Sequence, residues 1–96
     1  MAYSRKVILN CKSGSEDQLR QFVEKCLGDK VRLVAVMGAR CQEIEEIIDE
    51  LVVGDGSDES RFLLTSAHPR ESLVDVIKFA KSFTADYEDQ IEIVEM

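Results

Sequence analysis

Two short polar segments of this sequence hold most of the side chains that could carry out chemistry. The first, residues 10–15, reads Asn-Cys-Lys-Ser-Gly-Ser, and the second, residues 65–70, reads Thr-Ser-Ala-His-Pro-Arg. Together they contain the only histidine of the chain, one of its three cysteines, and several hydroxyl and cationic side chains. The candidate ligand-binding residues are Cys11, Lys12, Ser13, Ser15, Ser66, His68 and Arg70.

Anion binding is the first chemistry that these segments suggest. If a helix follows residues 10–15, its first backbone amides face outward, and Lys12 and Arg70 would add positive charge. The phosphate-binding pattern Gly-x-x-x-x-Gly-Lys-Ser/Thr is absent, however, and Glu16 and Asp17 would repel a phosphate. We therefore favour the interpretation that this segment only caps its helix.

Thiol chemistry at Cys11 is the second. A cysteine between a strand and a helix N-terminus can be held as the reactive thiolate. Cysteine-based phosphatases need an arginine six residues after their cysteine, where this chain has Asp17, and the sequence contains no Cys-x-x-Cys. A half-buried structural thiol is the favoured interpretation.

Acid–base chemistry at His68 is the third. A histidine changes charge near neutral pH, but as a catalytic base it needs a nucleophile and an orienting acid within reach. Ser66, Cys11 and Glu71 are the nearby candidates. The alternative, which we favour, is a cap or loop residue immediately before Pro69. The sequence groups no further metal ligands near His68 and has no cofactor-binding motif, so we predict neither a bound metal ion nor a bound cofactor.

The elements that must position these segments alternate between strand and helix. Apolar runs at residues 7–9, 31–37, 62–65 and 91–94 predict four strands. Between them, apolar side chains at helical spacing predict three helices, the first capped by Ser15 and closed by Gly28, the third opening at Pro69. This alternation predicts one α/β domain over residues 1–96, with a four-stranded parallel sheet between two layers of helices.

The strand order follows from which runs are continuously apolar. The first and third runs are continuous, whereas the second carries Arg32 and the fourth carries Glu92. This favours strands 1 and 3 at the centre and the order 2-1-3-4, that of a minimal flavodoxin-like sheet. Ligands of open parallel sheets bind where the strand order reverses, so we expect residues 10–15 and 65–70 to meet there.

Charge and composition exclude several classes of partner. Lys and Arg number 12 against 19 Asp and Glu, a net charge of −7, which disfavours nucleic acid and anionic membranes. The longest apolar stretch, residues 33–37, is far too short to span a bilayer. No apolar leader precedes the first strand, and the cysteines number three, an odd count. We therefore expect a cytoplasmic protein with reduced thiols.

From these observations we expect a small, non-enzymatic interaction or regulatory domain. Its partner would be another protein or a second copy, contacted through the acidic second helix or an edge of the sheet. The alternative is a small-molecule or phosphate-type anion binder, or an enzyme, that uses residues 10–15 and 65–70.

Overall fold

The computed structural model describes residues 3–12, 15–54, 56, 63–83 and 90–96. In this part of the chain, strands and helices alternate as predicted, and the α/β class with a four-stranded parallel sheet is confirmed. The elements are β1 (Lys6–Asn10), α1 (Glu16–Gly28), β2 (Leu33–Met37), α2 (Cys41–Val53), β3 (Leu64–His68), α3 (Leu73–Ser82) and β4 (Ile91–Glu95).

The predicted strand order is wrong. The sheet runs β3-β2-β1-β4, so β1 and β2 are central and β3 is an edge strand. Arg32, which suggested an exposed second strand, lies before β2, and the strand itself is buried from Leu33 to Val36. The third strand continues through polar residues to His68, and its first residue, Leu64, is exposed.

The position of each helix follows from the direction of each crossover. The chain moves in one direction across the sheet from β1 to β2 to β3, and right-handed crossovers then place α1 and α2 on the same face. The return from β3 to β4 reverses the direction and puts α3 on the opposite face. Two clusters of buried side chains match these faces. The strands contribute Val7, Leu9, Val34 and Val36 to the side of α1 and α2, and Ile8 and Ala35 to the side of α3.

The helix ends depend on side-chain caps and on residues with positive φ, two of which are not glycine. At α1 the predicted capping box is present: the Gln18 amide donates to Ser15 Oγ at 3.2 Å, and the Ser15 amide donates to Gln18 Oε1 at 2.8 Å. The left-handed residue after this helix is Lys30, with φ of 63°, and not Gly28.

The predicted start of α3 at Pro69 is wrong. Arg70 has a φ of 65°, which no right-handed helix accommodates, so the helix begins only after it. Ser72 is the N-cap, and its Oγ accepts from the Asp75 amide at 3.2 Å. Among the helices of the described residues, none is both long and apolar enough to cross a membrane.

Gly38 joins the ends of the two central strands. It follows β2 with a φ of 114°, and a Cβ added to it would lie 2.7 Å from the backbone oxygen of Cys11. The Cys11 amide in turn donates to the Met37 oxygen at 3.3 Å. Only glycine fits this close approach with this backbone conformation.

Candidate functional site

The two polar segments lie at the same end of the sheet but not side by side. Because β2 separates β1 from β3, the ends of those strands are two strand spacings apart, about 10 Å. The order of the strands reverses between β1 and β4 instead. The predicted convergence of residues 10–15 with residues 65–70 at a single crevice depended on the wrong strand order, so each segment has its own surroundings.

Residues 10–12 lie beside the end of β4. The Lys12 amide donates to the Met96 oxygen at 2.8 Å, and the Met96 amide donates to the Asn10 oxygen at 3.0 Å. A cavity of about 330 Å³ is lined by Asn10, Lys12, Glu95 and Met96. A carboxylate therefore faces the same space as the lysine, which weakens the attraction of this cavity for an anion.

The predicted site residues of this first segment have different environments. The side chain of Ser15 accepts the capping hydrogen bond of α1, so its hydroxyl already has a role. Lys12 is exposed, and Cys11 is buried at 2% exposure in the core beneath α1 and α2. Ser13 lies outside the described residues. Anion binding by this segment stays a prediction.

The three cysteines are all free and buried. Burial is the largest of the effects that raise the pKa of the Cys26 thiol to about 12, and Asp29 adds to the rise while Lys25 opposes it. A thiol in that state is neither a nucleophile nor a metal ligand at neutral pH. For Cys11 the same packing removes access of a substrate to the sulfur.

In the second segment, three polar side chains form a continuous hydrogen-bonded chain. Ser66 and His68 are two residues apart on β3, so both project from the sheet face that carries α3. Ser66 Oγ lies 2.8 Å from His68 Nε2, and His68 Nδ1 lies 2.5 Å from Glu71 Oε2, in the turn before α3. The imidazole is 6% exposed, and the Phe79 ring packs against it with the ring centroids 4.5 Å apart.

The partners of the imidazole determine which nitrogen carries the proton. An ionised carboxylate can only accept, so the Nδ1 that faces Glu71 carries the hydrogen. In the neutral ring Nε2 is then an acceptor, and the Ser66 hydroxyl donates to it. This order of nucleophile, base and orienting acid is the one that acyl-transferring serine enzymes use. Two of the three neighbours named from the sequence, Ser66 and Glu71, thus reach His68, whereas Cys11 does not.

Two further residues of this segment point elsewhere. Arg70 is exposed in the turn after β3, and the strand order keeps that turn away from Lys12. Thr65 projects from the opposite face of the sheet, where its hydroxyl lies 2.6 Å from Asp49 Oδ1 and 3.1 Å from Glu45 Oε2 of α2. It connects β3 to the acidic helix, and periodicity alone gave no sign of this contact.

The side of the sheet that carries α3 also exposes apolar side chains. Among the described residues, one helix covers this face, whereas two cover the other. The exposed large apolar residues on this side are Leu64 and Ile93 of the edge strands and Leu73, Val74 and Phe79 of α3. In the sequence, the spacing of Leu73 with Val76, Ile77 and Ala80 predicts one buried stripe on this helix, but Leu73 is exposed because it is the first residue of α3. Val74 and Phe79 fall outside that stripe, and this was the signal in the sequence that they would be exposed.

Within the described residues, no group of His, Cys, Asp and Glu side chains is placed to hold a metal ion.

The chain was compared with family models, curated proteins and solved structures. No curated protein and no solved structure matches it. One family model, described as a domain of unknown function (DUF7684), matches residues 2–95. The chain therefore belongs to the DUF7684 family.

Proposed function

We propose that this chain is a protein-interaction domain that pairs with a second copy of itself through the face of the sheet that carries α3. The observation that supports the proposal is the set of exposed apolar side chains on that face. Val74 is 60% exposed at the start of α3, and Ile93 is 46% exposed on β4. Several large apolar side chains that stay exposed on one face of a domain are typical of a surface that binds another protein.

The distribution of charge favours a second copy as the occupant. The chain has a net charge of −7, and α2 contributes acidic residues to its outer surface, so two copies repel each other over most approaches. The α3 helix instead carries one acidic and two basic residues: Asp75 in its first turn, Lys78 in its middle and Lys81 in its last turn. In an antiparallel pair of α3 helices, the acidic end of one helix lies beside the basic end of the other. A two-fold interface makes this contact twice.

The proposal includes a cytoplasmic location and a non-enzymatic role for the pairing surface. The three buried, free cysteines are typical of proteins in a reducing compartment. In the pair, the acidic surface of α2 faces solvent on the opposite side of the sheet. It would keep the dimer soluble and prevent further growth of the assembly.

The test is the mass of the protein in solution, measured by sedimentation equilibrium over a wide range of concentration. We expect a dimer for the natural sequence and a dissociation constant about 100-fold higher for Val74→Gln, because each copy loses one buried valine contact. Val53→Gln is the matched control: Val53 is also 60% exposed, but it lies at the end of α2 on the other face. A monomer at every concentration, or equal effects of the two substitutions, would refute the proposal.

A further inference from the structure

We infer that Ser66 is a nucleophile that takes an acyl group from small apolar esters, with His68 as its general base and Glu71 as the positioning residue. The proposed site lies beside Leu64 and Phe79 at the β3 end of this face, whereas the pairing proposal depends on Val74 and Ile93. Val74 and Phe79 are five residues apart, so they project about 140° apart around α3. Phe79 is the one that contacts His68. The nucleophile therefore lies on the β3 side of the helix, away from Val74.

The hydrogen-bonded chain supplies the proton transfer that such a nucleophile needs. The Ser66 hydroxyl donates to Nε2 across 2.8 Å, which is within the distance for proton transfer to a general base. The Nδ1–H of the same ring donates to Glu71 across 2.5 Å, so the ring cannot rotate without losing both contacts. When the ring takes the serine proton, the negative charge of Glu71 stabilises the imidazolium that forms.

The base is buried and the nucleophile is partly exposed, which is what catalysis by these hydrogen-bonded residues requires. His68 is buried beneath Phe79, whereas Ser66 is only partly buried and lies on an edge strand. Leu64, 42% exposed, precedes Ser66 on the same face of β3, and Phe79 is 37% exposed beside the imidazole. Two apolar side chains thus flank the hydroxyl. They favour a short apolar acyl group over a charged one.

In the part of the chain that the structure describes, β3 is an edge strand, and its open edge offers a donor for the carbonyl oxygen of an ester. The Leu64 amide donates to the Arg32 oxygen at 3.1 Å, so Leu64 points its N–H toward β2. In a parallel ladder alternate residues face alternate sides, and the Thr65 and Ala67 amides therefore face the open edge. The Ala67 N–H directly follows the nucleophile, a position that other acyl-transferring enzymes use to stabilise the oxyanion.

The reaction conserves every atom and proton. The Ser66 oxygen attacks the carbonyl carbon of the ester, and its proton moves to Nε2 of His68. The C–O bond to the leaving alcohol then breaks, and that alcohol takes the proton from Nε2, which leaves an acyl-Ser66 ester. Water attacks this ester by the same route, releasing a carboxylic acid and the original serine.

The test uses p-nitrophenyl acetate with the full-length protein. We expect release of p-nitrophenol together with one acetyl group on the peptide that contains Ser66, measured by mass spectrometry. Ser66→Ala should remove both signals. His68→Gln should slow the acetylation about 100-fold or more, which is the usual contribution of a general base.

A second variant and a control separate catalysis from structure. Glu71 is 43% exposed, so we expect Glu71→Gln to fold normally; it keeps an acceptor for Nδ1–H but removes the charge. Acetylation should slow by about tenfold while the urea midpoint stays unchanged. Ser4→Ala is the control, because Ser4 is half-buried like Ser66 but lies before β1, far from the histidine. The inference is overturned if Ser66 is acetylated no faster than Ser4, or if neither His68→Gln nor Glu71→Gln slows it.

Discussion

Replacement of Gly38 by alanine tests how the carboxyl ends of β1 and β2 are held together. Gly38 has a φ of 114°, a conformation that L-residues rarely adopt. The added methyl carbon would lie 2.7 Å from the Cys11 backbone oxygen, which is about 0.7 Å inside an ordinary contact. Neither group is free to move, because Cys11 is buried and its amide is bonded to Met37.

The expected loss of stability is the sum of three contributions. The unfavourable backbone conformation costs about 1–3 kcal/mol, and the overlap with a buried backbone atom costs about 1–3 kcal/mol more. The lower entropy of the unfolded alanine chain returns about 0.4–1 kcal/mol. We therefore expect Gly38→Ala to lower the free energy of unfolding by about 3 kcal/mol, a large part of the 5–15 kcal/mol typical of such domains.

Urea and thermal unfolding followed by circular dichroism measure this loss. A loss of about 3 kcal/mol lowers Tm by about 15 °C in a domain of this size, and the urea m-value should not change. Gly28→Ala is the control, since Gly28 ends α1 with no atom within 4 Å of an added Cβ. That variant should gain up to about 1 kcal/mol. If Gly38→Ala unfolds within about 0.5 kcal/mol of the natural protein, then the contact with Cys11 does not constrain the strand ends.

Two further predictions concern the residues around the end of α1. Lys30 is exposed and has a φ of 63°, so Lys30→Gly should raise the free energy of unfolding in urea by about 0.5 kcal/mol. Lys78→Gly, within α3, should instead lower it by about 1 kcal/mol. A change of the same sign in both variants would contradict the argument. The pKa of Asp29 is lowered first by the Tyr3 amide, which donates to its carboxylate at 2.8 Å, and then by Lys25. The Asp29 carboxylate therefore stabilises the fold at pH values above the ordinary aspartate pKa of about 3.9, and this stabilisation is lost as the pH falls below that value. The difference in urea midpoint between the natural protein and Asp29→Asn should therefore be present at neutral pH and shrink toward about pH 3; a difference that does not change with pH would exclude this role.

The parts of the fold that depend only on residues close together in the sequence were predictable from it. The capping box of Ser15 and Gln18 needs only residues within one helical turn, and it forms as predicted. The alternation of strands and helices likewise follows from local periodicity. The strand order does not follow from local periodicity, because it depends on which strands pair with each other in the sheet. Arg32 lies one residue before β2 and so misled the estimate of burial for that strand.

The candidate site shows the same division. Ser66, His68 and Glu71 lie within six residues of one another, so the sequence could name them as neighbours. Their hydrogen-bonded order depends on β3 continuing to His68, which its polar residues do not indicate. The exposed apolar side chains beside α3 were also missed, because periodicity shows which residues of a helix face inward but not how much of the sheet one helix can cover.

The position of β1 has a consequence for how the protein is made. As the ribosome releases the chain, β1, β2 and β3 can assemble in the order of their synthesis, since each joins a strand that is already present. β4 pairs with the other side of β1, in the register that sets Lys6 against Ile91, so this partner is synthesised only after β2 and β3. Until then β1, which is buried from Lys6 to Leu9 in the folded protein, has an open edge, with which other chains could pair. A ribosome that stalls before residue 91 therefore presents an aggregation-prone intermediate.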